Sequence, residues 1–314
     1  MLKFLKNWTL PLAMFAGAIG YFLLANVTIL EPAKPFVNWL IAVLTPFLIF
    51  AQLLLTFCKI EPKELLPKAW HVWLLSIQAV SSGIIALLLI FCPMEEAYRD
   101  IFEGAMVCLI CPTATAAAVI TGKLGGSAST LTTYTLLSNV LAAIAVPLVF
   151  PLVEPHADIT FVVAFLKILS KVFPLLLAPF FIALLFRYYI PSVHRLLSKY
   201  HGVAFYLWAV ALTIVTGQTV RSLVTAAADV SIEIMIALAG LATCCLQFYF
   251  GKRIGSAYHD RISAGQALGQ KNTVLAIWMA LIYLHPLASI GPASYVVWQN
   301  SINSWQLWKK QKRQ

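Results

Sequence analysis

Charge is what this sequence has least of. Only 11% of its 314 residues are Asp, Glu, Lys or Arg, where an ordinary soluble domain carries about a quarter. Of these, 12 are acids, and all but a few lie between apolar runs or at their ends. An intramembrane enzyme acting on lipid or prenyl substrates would need paired acids at membrane depth, so it stays only a remote alternative, and no enzyme activity is expected. No polar stretch is long enough for a separate folded domain. The start, Met1-Leu2-Lys3, leads into an apolar run without a small-residue cleavage site, so the run reads as a retained span rather than a removed signal. Cys108 and Cys111 have zinc or redox spacing, but no second pair or histidine cluster accompanies them. No metal site is expected, and all six cysteines read as small buried hydrophobes.

What the sequence has instead is apolar residues, 61% of the total. Runs of about 20 such residues are long enough to cross a bilayer as helices. Ten runs can be placed, near residues 8–30, 36–58, 70–92, 102–122, 128–153, 161–188, 203–220, 230–250, 263–284 and 288–308. The net charge of +10 is not a nucleic-acid signature, because the basic residues sit in short loops on one side. With both termini in the cytoplasm, the inner loops and ends hold Lys3, Lys6, Lys59, Lys63, Lys68 and Lys123. They also hold Arg187, Arg195, Lys199, Lys252, Arg253, Arg261, Lys309, Lys310, Lys312 and Arg313. The outer side keeps only Lys34, Arg99 and Arg221, alongside Glu31, Glu95, Glu96, Asp100, Glu154 and Asp158. This asymmetry follows the positive-inside rule for an even number of spans.

Three lysines stand apart. Lys167 and Lys171 are four residues apart near the start of the sixth run, and read as snorkelling to water from an interfacial turn. Lys271 lies eight residues beyond Ser263, about 12 Å of helix into a core of about 30 Å. An ionisable residue at that depth is a functional candidate by default.

Ten spans divide into two sets of five, residues 1–157 and 158–314, which an odd count per half inserts in opposite orientations. In such inverted repeats, interrupted helices in matching positions mark the solute site. The fourth span contains Cys111-Pro112-Thr113-Ala114-Thr115-Ala116-Ala117-Ala118, where proline removes a helix bond. The ninth, its match, contains Gly265-Gln266-Ala267-Leu268-Gly269-Gln270-Lys271-Asn272, with glycines as the expected breakers. In the fifth span Thr132, Thr135 and Asn139 share a face, although hydroxyls there commonly bond back to a carbonyl of their own helix. Gln78 is a lone polar residue in the third. Glu103 and Glu233, near span ends, are expected to stay solvated.

At these two segments the sequence resembles the bile acid:sodium symporter family, as a bacterial member with degenerate sodium sites, and the likeness extends over nearly the whole chain. The resemblance implies an all-α fold of ten spans in an inverted repeat. The interrupted fourth and ninth helices would cross at mid-membrane. A panel would come from spans one, two, six and seven, and a core from three to five and eight to ten. The family's Pro-Gly-Gly-Thr-Ala-Ser-Asn stretch is matched by Pro112 to Ala118, and its Glu-Val-Gly-Met-Gln-Asn stretch by Ala267 to Asn272. Gln78 looks like a third-span glutamine of the family and Thr135 like a sodium-ligand threonine. Elsewhere the family's sodium ligands are missing: a Glu falls on Ala267, a Ser-Asn pair on Ala117-Ala118, a serine on Leu131 and a Gln on Lys271. Leu268 and Gln270 fill other positions of that stretch.

These departures lead to a sharper expectation. A hard cation needs several oxygen ligands, and few are left. The Lys271 ammonium is therefore expected to stand in for sodium, with no cofactor and with proton coupling left open. The function expected is alternating-access transport of an organic anion, a bile acid or other carboxylate, in a bacterial inner membrane. The anion would meet Thr113, Thr115, Lys271 and Asn272. A conventional sodium symporter is the alternative.

Overall fold

Long apolar runs leave each backbone amide and carbonyl to find its partner within the chain, and helices do this residue by residue. The computed structural model describes residues 2–59, 61–155, 159–200, 203–225 and 229–312, with side chains from residue 11 onward except that of Glu64. Its helices are α1 (Leu2–Asn26), α2 (Lys34–Cys58), α3 (Ala69–Phe91), α4 (Glu96–Ile110), α5 (Ala117–Leu124), α6 (Ala128–Val153) and α7 (Phe161–Tyr189). They continue as α8 (Pro191–Lys199), α9 (Val203–Thr225), α10 (Val230–Ala257), α11 (Arg261–Gly269), α12 (Thr273–Tyr283) and α13 (Ile290–Gln311). Among the described residues there is no strand; one isolated β-bridge pairs Thr113 with Lys271.

The chain is an all-α, multi-pass membrane protein by this composition. Among the described residues, six helical segments are long and apolar enough to cross a bilayer: Thr28–Cys58, Ala69–Phe91, Ala128–Val153, Phe161–Tyr189, Val203–Thr225 and Val230–Ala257. The expected fourth and ninth spans fall short of that length because each is two helices with an interruption between them. α13 is long enough but carries Gln299, Asn300, Asn303 and Gln306. The expected boundary between halves at 157/158 lies outside the described residues, as do Asp158, Arg313 and the side chains of Lys3 and Lys6.

The helices fall into two units, each built from separate stretches of chain: Met1–Lys59 with Ala178–Ala228, and Ile60–Leu177 with Asp229–Gln314. In the smaller unit α9 packs on α1 and α2, and α8 on α2. The Ser198 hydroxyl ties α8 to the end of α2 by donating to the Cys58 carbonyl at 2.7 Å. In the larger unit α10 packs on α4, α11 and α13, and α3 on α4 and α6. Lys167 and Lys171 are exposed on α7.

Small residues set the closest approaches. A Cβ on Gly251 of α10 would sit 2.6 Å from the Ala264 carbonyl oxygen and 3.0 Å from the Gly265 Cα, so α11 lies directly on α10. One turn on, a Cβ on Gly255 would meet the Ala264 Cβ at 2.6 Å.

Two expectations are corrected. Glu103 is not solvated: it is 0% exposed, in an ion pair with Arg99 at 3.2 Å and accepting from the His285 amide at 3.2 Å. Arg99, one turn earlier, draws it inward while also reaching Glu154 at 3.3 Å and the carbonyls of Leu89 and Val153. Beside it the Asp100 carboxylate meets the His285 ring at 2.6 Å. Of the six cysteines, Cys92 and Cys245 are exposed rather than buried: Cys92 caps the open end of α3 and Cys245 lies on the outward face of α10.

Gly251→Ala should lower the thermal unfolding temperature of the purified protein, by the roughly 1–3 kcal/mol of an overpacked contact. Gly83→Ala on α3, where a Cβ meets nothing within 4 Å, should leave it unchanged or raise it. Equal effects at both positions would contradict the packing described.

Candidate functional site

The first interruption has a local cause. Proline drives the residue before it into extended backbone, and Cys111, with φ −62° and ψ 141°, ends α4 just before Pro112. The chain turns helical again at Ala117. In the second interruption Gly269 is the last residue of α11, Gln270 is extended at φ −96° and ψ 114°, and α12 starts at Thr273. The Asn272 carboxamide oxygen caps α12, accepting from the Leu275 amide at 3.3 Å. Gly265 does not break the helix as expected. It lies within α11, where the lack of a side chain admits Lys252, whose Cγ is 2.5 Å from where a Cβ would be.

The two interruptions meet. The Ala114 amide donates to the Gln270 carbonyl at 3.1 Å, and the Asn272 amide to the Pro112 carbonyl at 2.9 Å. Each helix that ends here leaves carbonyls without a partner in its own backbone. The surrounding side chains take them up. Gln78 of α3 donates to Ile110 at 2.9 Å and Cys111 at 3.2 Å. Gln247 of α10 donates to Cys108 at 3.2 Å. On the α11 side, the Thr113 hydroxyl donates to Ala267 at 2.6 Å and the Tyr295 hydroxyl to Gly269 at 2.8 Å. Gln299 of α13 brackets Lys271, accepting from its amide at 2.8 Å and donating to its carbonyl at 3.3 Å. The Cys111 thiol donates to the Asn272 carbonyl at 3.1 Å, so this cysteine is more than a hydrophobe.

Lys271 completes the set. Its ammonium donates to the Leu109 carbonyl at 3.2 Å, in the last turn of α4, and the residue is 1% exposed. It does not snorkel towards either surface. A cation at a helix C-terminus meets the negative end of the helix dipole, worth up to about 2 kcal/mol when partly buried.

Gln78 also organises the far side of the crossing. Its carbonyl oxygen accepts from the Tyr134 hydroxyl at 3.1 Å and the Ser138 hydroxyl at 3.2 Å, and Ser138 in turn accepts from the Thr113 amide at 3.2 Å. Three other fifth-span hydroxyls turn back on their own helix: Thr132 to Ala128, Thr133 to Ser129 and Thr135 to Leu131. Asn139 is fully buried, and neither polar atom of its carboxamide has a partner.

The expected site residues thus separate into groups. Gln78, Thr113, Lys271 and Asn272 converge on the crossing and spend their polar atoms holding it. Ala117, Leu131, Ala267 and Leu268 are each 0% exposed and pack together with Trp70, Leu74 and Tyr134 in one apolar cluster. Gln270 turns away, its amide donating to the Gln266 side chain, which reaches Gln306 at 3.2 Å. Thr115 and Ala118 are half-buried and Ala116 is exposed, so the turn into α5 is the accessible part of the crossing. Gln247, Tyr295 and Gln299 were not singled out from the sequence; polar residues within otherwise apolar runs were the signal available.

No protein-family model matches the chain, and a search of curated proteins finds no match.

Gln78→Leu would strand two carbonyls and remove the acceptor of Tyr134 and Ser138. At about 1–3 kcal/mol for each buried group left unpaired, unfolding should become easier by about 3 kcal/mol or more. Tyr134→Phe, which removes one donor to an oxygen that keeps another, should cost only about 1 kcal/mol. Thermal and denaturant unfolding in detergent measure both.

Proposed function

We propose that this chain is a secondary transporter of organic anions, a bile acid or other carboxylate, working by alternating access and without sodium. Several apolar helices fit a membrane transporter in general. The observation that carries the finer reading is the Lys271 ammonium on the Leu109 carbonyl, at the point where two interrupted helices pair through their backbones. Freed carbonyls at a helix C-terminus attract a cation in transporters with broken helices. Here the chain supplies the cation itself.

The positions that the resemblance assigns to sodium support the same reading. Ala117, Leu131 and Ala267 present no oxygen from their side chains, and the Thr135 hydroxyl is engaged with Leu131. A carboxylate solute would meet the crossing from the accessible side, at Thr115 and the amides opening α5, with Lys271 acting through the field it places behind them. Ten spans in an inverted repeat remain part of the proposal. The grouping of α1, α2, α8, α9 and the end of α7 apart from α3–α6 and α10–α13 supports a panel and a core, although the first part of α7, up to Leu177, groups with the core rather than with the expected panel. No catalytic role is assigned: the buried acids Asp100 and Glu103 are engaged by His285 and Arg99.

Uptake of a labelled bile acid into proteoliposomes, in sodium against choline, tests this for the wild type and Lys271→Gln. Uptake should be equal in both salts for the wild type and fall about tenfold or more in the variant, or become sodium-sensitive; a tenfold loss is the worth of one buried charge–dipole contact. Sodium-dependent uptake that survives Lys271→Gln would replace this reading with a conventional sodium symporter.

A further inference from the structure

The smaller unit contains a cavity of about 690 Å³, walled by α1, α2 and α9. Its shape follows from two glycines. A Cβ on Gly17 would sit 2.2 Å from the Thr213 carbonyl oxygen and 3.0 Å from the Gly217 nitrogen, so α1 and α9 touch there backbone to backbone. Three residues later a Cβ on Gly20 would meet nothing within 4 Å. Between those positions the helices part, and the N-terminal half of α2 closes the opening.

The lining is amphipathic. Tyr21, Leu24, Val37, Ile41 and Ile214 supply apolar wall, whereas Lys34 and Arg221 supply two cations and no lining residue is acidic. Lys34 shares its charge with Glu31 at 3.4 Å, in an exposed pair. Arg221 has no carboxylate within ion-pair distance among the described residues. The side-chain oxygen of Gln218, in the same wall, is buried and unpaired. These cations are two of the three that the inside-positive pattern leaves on the outer side. The third, Arg99, is occupied by Glu103, Glu154 and two carbonyls, so its place has a structural explanation that Arg221 lacks.

From the cavity and its charge we infer a binding site for an amphipathic organic anion, its head between Lys34 and Arg221 and its apolar body along α1 and α2 towards Gly20. A cavity of this size suits one drug-sized molecule. The same chemistry is offered by a soluble carboxylate or sulfonate and by an anionic lipid. The site lies wholly within the smaller unit, and does not depend on what the crossing in the larger unit carries.

Dansyl-labelled undecanoate is the probe, titrated into the purified full chain in neutral detergent, with its emission as the signal. Wild type should bind it saturably. Arg221→Gln and Lys34→Gln should each weaken binding about tenfold, the worth of one charge-assisted hydrogen bond. Gly20→Phe should abolish it by filling the cavity, whereas Gly83→Phe, in open space on α3, should not. The matching dansyl-labelled alcohol should bind weakly, with no response to Arg221→Gln. Helical circular dichroism and gel-filtration profiles check each variant's fold, and Arg221→Gln, at an exposed position, keeps the test decisive should Gly20→Phe fail to fold. Equal affinity for acid and alcohol, or binding untouched by both Arg221→Gln and Gly20→Phe, would overturn the site. Repeating the titration in nanodiscs separates the sources. Loss of probe binding when phosphatidylglycerol joins phosphatidylcholine assigns the site to lipid; retained binding assigns it to a soluble anion.

Discussion

In hydrocarbon a backbone carbonyl without a donor is expensive, at several kcal/mol for each unpaired group. Two helices that stop inside the larger unit create a cluster of such carbonyls, and much of that unit is arranged to pair them. Donors come from α3 (Gln78), α10 (Gln247), α13 (Tyr295, Gln299) and from the opposite interruption itself (Thr113, Ala114, Lys271, Asn272). The helices packed around the crossing are therefore fixed by chemistry at one point as well as by apolar contact. Five of these eight donors, Gln78, Gln247, Tyr295, Gln299 and Lys271, would be unwelcome in an unbroken span; at this position their removal is what would be costly.

The sequence revealed the locations of the interruptions better than their causes. Pro112 announces the first break because proline acts on its immediate neighbour, an effect confined to two residues. At the second, Gly265 and Gly269 looked alike as breakers, yet Gly265 stays within the helix, packed on Lys252, and Gly269 is its last residue, packed on the Phe248 ring. That difference depends on what lies across the helix, which one sequence does not display. Lys271 was legible as an outlier of charge at depth, but its partner Leu109 was not, since any backbone carbonyl can accept and only the fold selects one.

Long-range polar partners explain the remaining differences. Glu103 looked solvated because its distance from the span end could be counted, whereas its burial depends on Arg99 and on the His285 backbone 182 residues away. Thr135 looked available, although a threonine in a helix can satisfy its hydroxyl one turn back with no help from elsewhere. Ala117, Leu131 and Ala267 were noted for the oxygens they lack, and they pack together in one apolar cluster.

If the chain transports as proposed, the covalent attachment of the Lys271 ammonium has an electrical consequence. A bound metal ion can be released with its solute, so its charge is delivered across the membrane in each cycle. A lysine travels out and back with the chain, and its contribution to net charge movement over a full cycle is zero. On the proposed reading a monovalent anion would then cross alone as far as the membrane voltage is concerned, unless a proton accompanies it. An inside-negative potential opposes its entry by about 2.3 kcal/mol for every 100 mV and favours its exit by the same amount. Replacing a borrowed cation with a resident one would thus change the energetics of the cycle from accumulation driven by an ion gradient towards release down the membrane potential.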